Sequence, residues 1–359
     1  MKCGSRARVN TPVVSICLPV LNGREFLEPR LATILSQTLP DWELVVCDSH
    51  SDDGTWEYLQ TFAGDSRVQL HQVPREGLYA GWNECLARVR GEYVYFATAD
   101  DTMEPSLLAK LSGPLARDDA CDLAYCWHDR IDSEGAVLPR PSPNPCHTFA
   151  LGQADSCARL PGLPAFLVQA GLGGPIWVTM TACLFRRSLL AKTGCFRTDL
   201  GSLGDLEWAL AAAVHTDFQV VPEYLATYRS HSGQATVQSS RTRRIWLALL
   251  CVRRALSRWG AHLPDRLRTR GGRRRVLAPL HHRLLAKLNR SFLKQAPLPF
   301  LGCFLRSLRT NPIGSARRLA SAFSWDFPDA SERAQELVEV SLGDFSGERF
   351  LRDRGGEDS

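Results

Sequence analysis

The 359-residue chain has no apolar run that approaches the roughly 18 residues needed for a membrane-spanning helix. Its 12 cysteines include no Cys-x-x-Cys pair, and the closest two are Cys121 and Cys126. This spacing argues against a zinc site and against a disulfide framework. The sequence also contains no internal repeat and no low-complexity tract. We therefore expect a globular protein with free thiols in a reducing, cytoplasmic compartment.

Acidic residues are almost absent from one stretch of the chain. Residues 241–294 contain 16 lysines and arginines but a single acid, Asp265. Residues 1–240 have the opposite balance, with 19 basic and 27 acidic side chains. The net charge of +5 hides this asymmetry, which indicates two modules with different partners.

Residues 13–110 alternate between apolar strand-like runs and stretches with helical periodicity. Near-continuous apolar strands are typical of a parallel sheet that is buried on both faces. The alternating order predicts an α/β fold with right-handed crossovers, followed by helices beyond residue 241. The predicted strands are 13–20, 42–48, 68–73 and 93–98, with further extended segments at 122–132, 176–186 and 218–231.

The stretch around which the rest is organised is Gly91–Glu104, GEYVYFATADDTME. A hydrophobic strand ends there in two adjacent carboxylates, Asp100 and Asp101, before a new helix that we predict over Ser106–Leu111. Ligands of open α/β sheets bind just outside the carboxyl ends of the strands. Acids at this position suit a divalent cation that carries a phosphate. The alternative is a solvated turn in which one acid caps the helix.

The first C-terminal helix is predicted to be amphipathic, with arginines around an apolar stripe. One interpretation is docking on anionic lipid through residues 241–294. The other is a helical appendage that packs on the preceding domain with a solvated basic face. Nucleic-acid binding is disfavoured because no recognisable nucleic-acid motif accompanies the arginines. The apolar stripe consists of Ile245, Leu249, Val252, Leu256 and Trp259.

Five ordered motifs resemble family 2 glycosyltransferases, nucleotide-sugar enzymes of the GT-A fold. They are SICLPVLNGREFLEP, WELVVCDSHSDDGT, REGLYAGWNECLARVRGEYVYFATADD, GDLEWAL and YLATYRSHSGQAT. The resemblance implies a mostly parallel sheet flanked by helices. It divides the chain into a tail (1–11), a GT-A domain (12–240) and a basic helical C-terminal region (241–359).

The resemblance also implies roles for individual residues. Asp48 matches the acid that hydrogen-bonds the nucleobase, and Asp100 matches the metal-binding second acid of the Asp-x-Asp motif. His231 matches a histidine near the metal, which would be Mg²⁺ or Mn²⁺. Asp205 matches the catalytic base, and Glu207 is the alternative candidate for that role. The residues expected to contact the nucleotide sugar are Pro19, Val20, Asn22, Asp48, Thr98, Ala99 and Asp100.

Two positions depart from the family pattern. Thr98 replaces the first acid of the Asp-x-Asp motif, which predicts weaker metal affinity because threonine brings no charge. Leu21 replaces an aromatic residue that the family usually has at the end of the first strand.

The implied activity is inverting, metal-assisted transfer of a hexosyl or deoxyhexosyl group from a nucleotide diphosphate sugar. The acceptor would be a hydroxyl of a glycan, a lipid-linked molecule or a small molecule. The departures at Thr98 and Leu21 leave open a degenerate module that binds nucleotide sugar without turnover. A second alternative places the main function in the basic helices, as a membrane-binding or nucleic-acid-binding protein.

Overall fold

The computed structural model describes residues 11–140, 158–231, 233, 241–285, 297–311 and 315. Nearly all of the predicted N-terminal tail therefore lies outside the described residues. The strands are β1 Val14–Val20, β2 Trp42–Asp48, β3 Val68–Gln72, β4 Tyr93–Phe96, β5 Cys121–Ile131, β6 Ala158–Leu160, β7 Cys183–Arg186 and β8 Asp217–Arg229. The helices are α1 Arg24–Leu35, α2 Thr55–Gln60, α3 Leu78–Leu86, α4 Leu107–Arg117, α5 Gly162–Leu172, α6 Leu190–Thr193, α7 Gly204–His215, α8 Arg241–Arg258, α9 Asp265–Arg268, α10 Arg270–Leu285 and α11 Pro297–Thr310.

All eight of these strands form one sheet in the order β3-β2-β1-β4-β7-β5-β8-β6. Strands β1 to β4 pair in parallel, as do β5 and β8. Strand β7 joins the two groups through antiparallel pairs with β4 and β5, and β6 pairs antiparallel with β8. The predicted α/β class with a mostly parallel sheet is therefore confirmed.

The apolar character of β1 and β2 explains their central position. Every residue of β2 is buried, and in β1 only Pro19 is partly exposed. Such strands are covered on both faces, as the parallel arrangement requires. Because β1, β2 and β4 are parallel neighbours, their carboxyl ends lie at the same edge of the sheet.

The structure differs most from the predictions at two segments. Only the last four residues of 176–186 form a strand, and Met180–Ala182 is a 3₁₀ helix. The side chain of Thr179 accepts a hydrogen bond from the Thr181 amide, and this local bond competes with strand pairing. Helix α4 starts at Leu107 and continues through Pro114 to Arg117, so it is longer than predicted.

The C-terminal helices pack on the α/β region. The Cys251 thiol of α8 lies 3.8 Å from the carbonyl of Leu203, and Arg283 Nη1 of α10 donates to the carbonyl of Leu172. The predicted apolar stripe of α8 is buried in this contact, from Ile245 to Trp259. Helix α8 therefore uses its apolar face inside the protein, as the second sequence interpretation expected.

Two further features concern the cysteines and the helices of the described residues. The cysteines among them are all free thiols, and only Cys195 is exposed. Within the ranges given above, no helix is both long and apolar enough to cross a bilayer.

Candidate functional site

The turns after β1 and β2 are joined by side-chain hydrogen bonds. Asn22 has a positive φ of 50°, which asparagine tolerates better than most residues. Its amide group and Asp52 exchange two bonds of 2.9 and 3.0 Å, and its backbone N–H donates to Ser51 Oγ. The Gly23 N–H donates to Thr55 Oγ1 at 3.0 Å. The two turns therefore form one rigid edge, with Leu21 exposed beside it.

Asp48, the last residue of β2, is fully buried. Its carboxylate accepts hydrogen bonds from the Ser51 hydroxyl at 2.5 Å and from the Ser51 N–H at 3.1 Å. The carboxylate thereby orders the turn that follows the strand.

Asp101 is the most heavily bonded acid at the edge of the sheet. One carboxylate oxygen accepts from the hydroxyls of Thr98, Thr179 and Thr181 at 2.7, 2.8 and 3.1 Å. The other accepts from the Arg229 N–H at 2.8 Å. Burial and the neighbouring charge of Asp100 raise the pKa of Asp101, while these donors oppose the shift. Asp101 thus joins the ends of β4 and β8 and does not cap α4.

The chain after Asp101 crosses to β8 and brings two distant residues together. The Thr102 N–H donates to Thr227 Oγ1 at 2.8 Å, and the Thr227 N–H donates back to the Thr102 carbonyl at 3.0 Å. Arg229 Nε donates to the Asp100 carbonyl at 2.6 Å. As a result, His231 Nε2 lies 3.1 Å from Asp100 Oδ2, across a sequence separation of 131 residues.

The Asp100–His231 pair is the part of the site that fits a divalent cation. Both side chains are partly exposed, at 25% and 20%. No third histidine, cysteine, aspartate or glutamate completes a metal-binding group of three within the described part of the chain. One carboxylate and one imidazole suit Mg²⁺ or Mn²⁺ when substrate phosphates and water supply the remaining ligands. The donor set therefore fits an ion shared with a diphosphate.

Asp205 lies at the start of α7, where Gly204 permits a close approach of Tyr79. A Cβ at Gly204 would lie 2.5 Å from the Arg197 carbonyl and 2.7 Å from the Tyr79 ring. The Tyr79 hydroxyl hydrogen-bonds the Asp205 carboxylate, and the Leu206 N–H donates to Asp205 Oδ1 at 2.8 Å. Burial raises the pKa of Asp205 to about 6, although these hydrogen bonds act in the opposite direction.

Glu207 points away from Asp205 and towards the C-terminal helices. It is buried, and its carboxylate lies 3.8 Å from the guanidinium of Arg258 on α8. Burial raises the pKa of Glu207, and the positive charge of Arg258 works against that rise. Of the two acids in GDLEW, only Asp205 is directed to the edge that carries Tyr79.

Three contacts place these groups at one edge of the sheet. A Cβ on Gly23 would lie 3.3 Å from Ala99 Cβ, so the turn after β1 touches the loop after β4. A Cβ on Gly81, in the first turns of α3, would lie 3.6 Å from Ser49 Oγ and 3.8 Å from Pro19 Cβ. Since Tyr79 in α3 bonds Asp205, the base candidate belongs to this same edge.

The sequence analysis missed several residues that hold the site together. Tyr79, Thr179, Thr181 and Arg229 were not singled out, because their partners lie far away in the chain. Val178 also has a φ of 66°, which is rare for a β-branched residue, and its side chain is exposed. Trp82, Trp177 and Trp208 are buried in the core.

Residues 15–193 match the profile of glycosyl transferase family 2. The uncharacterized protein MT1568 of Mycobacterium tuberculosis is 30% identical over 236 residues, which cover 65% of this chain and 72% of that protein. The chain belongs to glycosyl transferase family 2. It is a glycosyltransferase, and its resemblance to the family is confirmed. The first three of the five motifs lie within the matched residues.

Other relatives are more distant or share only the fold. Chondroitin synthase of Escherichia coli is 28% identical over 138 residues, which cover 38% of this chain and 20% of that enzyme. S. aureus TarS 1-349 in complex with UDP-GlcNAc has a TM-score of 0.62 at 15% identity, covering 93% of this chain and 91% of TarS 1-349. Mannosyltransferase PcManGT from Pyrobaculum calidifontis, in complex with GDP-Man and Mn²⁺, has a TM-score of 0.52 at 17% identity, covering 93% and 87%. This chain has the same GT-A architecture.

Proposed function

We propose that this glycosyltransferase moves a hexosyl or deoxyhexosyl group from a nucleotide diphosphate sugar to an acceptor hydroxyl, with inversion at the anomeric carbon. The observation that carries the proposal is the position of Asp205. Its half-buried carboxyl lies at the edge of the sheet that also carries the Asp100–His231 pair. A pKa of about 6 suits a general base that works near neutral pH.

The donor would lie along the turns after β1, β2 and β4. One side of the donor would be lined by Pro19, Val20 and Asn22. The Asp48 carboxylate would accept a hydrogen bond from a nucleobase N–H in place of the one from Ser51. A nucleotide-sugar donor is supported by the UDP-GlcNAc and GDP-Man complexes of the two proteins with similar folds.

The loop after β4 would meet the sugar and the diphosphate through Thr98, Ala99 and Asp100. The hydroxyl of Thr98 donates to Asp101 and lies 2.8 Å from the hydroxyl of Thr181. One lone pair remains as an acceptor for a ribose or sugar hydroxyl. Asp100 and His231 would hold Mg²⁺ or Mn²⁺. When bound, the ion neutralises the charge that develops on the departing diphosphate.

The transfer itself is a single displacement. The acceptor oxygen attacks the anomeric carbon from the face opposite the diphosphate, and its proton passes to the carboxylate of Asp205. The new bond joins acceptor oxygen and anomeric carbon. The bond from that carbon to the diphosphate oxygen breaks, and the nucleoside diphosphate leaves with the electron pair. Glu207 takes no part, because it faces Arg258.

Polysaccharide biosynthesis is the proposed setting, supported by the likeness to chondroitin synthase. The proposed acceptor is therefore a hydroxyl of a growing glycan or of a lipid-linked precursor. The chain spans one fifth of chondroitin synthase, so the substrates of that enzyme are not carried over.

A donor screen with an anomeric readout tests the proposal. Thermal unfolding is followed with UDP-, dTDP- and GDP-sugars, each with Mn²⁺ or with EDTA. At least one donor should raise the Tm in the presence of Mn²⁺, because ligand binding stabilises the folded state. Asp100→Asn should remove the Mn²⁺-dependent part of that rise.

Asp119→Asn is the matched control for the screen, because the Asp119 side chain is fully exposed, away from the site. NMR of the product should then report the anomer opposite to that of the donor. Retention of configuration, or a Tm that no nucleotide sugar changes, would refute the proposal.

A further inference from the structure

Helix α11 carries a row of exposed leucines that end at an arginine. Leu298, Leu301 and Leu305 are 80%, 49% and 51% exposed. Together with Arg309 they recur every three or four residues, so they lie on one face of the helix. The opposite face is anchored in the core through Phe300 and Cys303. The exposed face is therefore an apolar stripe on a helix that is already packed.

Arg309 adjoins a second basic surface on α8. An open cavity of about 500 Å³ lies between the two helices and is lined by Trp246, Leu250, Arg253, Arg254, Ser257 and Arg309. The five lining residues that belong to α8 are adjacent in the sequence or lie three or four residues apart. They therefore share one face of the helix, beside its buried apolar stripe. We call the leucine stripe and this cavity together the leucine–arginine surface.

The positive charge of this surface is largely uncompensated. Within the described residues, Arg253 and Arg309 have neither a hydrogen bond nor an ion pair. Arg254 lies 3.3 Å from Asp199, but both side chains are about half exposed. Such an exposed pair is weak, so Arg254 remains available to another anion. Three guanidinium groups thus surround a cavity with an apolar wall formed by Trp246 and Leu250.

We propose that the leucine–arginine surface docks on an anionic phospholipid membrane. Leucines would enter the boundary of the acyl chains, and the arginines would contact lipid phosphates, for which the guanidinium fork is suited. An acidic glycan would satisfy the arginines but would leave the leucines exposed to water. The apolar face of α8 cannot serve this purpose, because it is buried. The contact therefore lies on α11 and the outer side of α8.

The surface also adjoins the start of α7, where the proposed base Asp205 lies. Arg254 contacts Asp199, which precedes the 3₁₀ turn Gly201–Leu203 and then Asp205. Arg258, one turn further along α8, faces Glu207. A membrane bound here would lie beside the start of α7. The docking itself does not depend on the proposed reaction and is measured without it.

Vesicle co-sedimentation of the full chain tests the docking. Vesicles of phosphatidylcholine alone are compared with vesicles that also contain phosphatidylglycerol. We expect clear binding to the anionic vesicles, much weaker binding to the neutral ones, and a loss of binding as salt is added.

Two double variants separate the contributions of charge and apolar contact. Arg253→Gln with Arg309→Gln should weaken partitioning about 25-fold, from roughly a fivefold loss per arginine at an anionic surface. Leu298→Ser with Leu305→Ser should weaken it about tenfold or more. The matched controls are Arg270→Gln with Arg274→Gln and Leu35→Ser with Val137→Ser. The first control removes the same charge, and the second removes two exposed apolar side chains, in both cases away from the leucine–arginine surface. Both control proteins should bind the vesicles as the wild type does.

Three results would overturn the proposal. The first is equal binding to neutral and anionic vesicles, or no binding to either. The second is stronger retention on an acidic polysaccharide such as polygalacturonate, with the leucine variant unaffected. The third is a dimer in light scattering that the leucine variant dissociates without any change in vesicle binding.

Discussion

Charged side chains are used in opposite ways by the α/β region and by the C-terminal helices. In the α/β region, Asp48, Asp101 and Asp205 are buried or half-buried, and each accepts hydrogen bonds from named donors. In the C-terminal helices the buried face is apolar, while Arg243, Arg253 and other arginines face solvent. Changes in the first region should therefore affect folding and turnover. Changes in the second region should affect which molecules bind to the protein surface.

The largest effect on stability is expected at Asp101. Asp101→Ala removes the shared acceptor of three threonine hydroxyls and one backbone N–H. Buried donors without an acceptor are costly, so the free energy of unfolding in urea should fall by about 3 kcal/mol. Asp119→Ala, at a fully exposed acid, should change it by less than about 0.5 kcal/mol. A loss below about 1 kcal/mol at Asp101 would mean that the network does not hold the strands together.

A smaller loss is expected when a methyl group is added at Gly204. Gly204→Ala would press against the Arg197 carbonyl and the Tyr79 ring, and overpacking of this kind costs about 2 kcal/mol. Turnover should fall as well, because Tyr79 and Asp205 are displaced. Gly174→Ala is the matched control, since nothing lies within 4 Å of its added Cβ. Equal stability of the two variants would show that the contact at Gly204 is not tight.

The raised pKa of Asp205 predicts two dependences on pH. The base must be ionised, so kcat/KM should fall about tenfold per pH unit below a pH of about 6. Between its ordinary value of 3.8 and about 6, the folded state binds more protons than the unfolded state. The contribution of Asp205 to stability therefore decreases as pH rises through that window.

Thermal and urea unfolding of Asp205→Asn check the second dependence. This variant should lose less stability between pH 4 and pH 6 than the wild type does. Some dependence should remain, because Asp101 also has a raised pKa. Identical pH profiles of the two proteins would contradict the assigned shift.

The smallest effects on stability belong to the leucine–arginine surface. Leu298→Ser with Leu305→Ser, or Arg253→Gln with Arg309→Gln, should change the free energy of unfolding by less than about 0.5 kcal/mol. These side chains are exposed and make few contacts that folding depends on. Urea unfolding provides the measurement. A loss of 2 kcal/mol or more, on the scale of a buried leucine, would mean that other parts of the protein cover these leucines.

The strand and helix pattern of the N-terminal half could be predicted because it rests on local signals. The apolar runs at β1 and β2 and the helical spacing of α1 match the structure closely. The same signals failed at residues 176–182, the part of the predicted extended segment 176–186 that does not form strand β7. There the Thr181 N–H donates to the Thr179 hydroxyl, and the hydroxyls of both threonines donate to Asp101. That bonding depends on a residue about 80 positions away, which local patterns do not reveal.

The same limit applies to the candidate site. The motifs located Asp100, His231 and Asp205, but not what holds them in place. Arg229 and Tyr79 act through contacts that only the fold creates, namely the bond to the Asp100 carbonyl and the bond to Asp205. The sequence also did not determine whether the apolar stripe of α8 is buried in the protein, because an amphipathic helix can face either a membrane or a protein core.

Turnover of Asp205→Asn beside that of Glu207→Gln tests the central claim most directly. Release of nucleoside diphosphate is followed with a donor and acceptor that the wild type uses, and donor binding is measured in parallel by thermal shift. Asp205→Asn should lower the rate by about 10²-fold to 10⁴-fold with donor binding unchanged, and Glu207→Gln should stay within a few-fold of the wild type. Wild-type turnover by Asp205→Asn, or a larger loss in Glu207→Gln, would contradict the account.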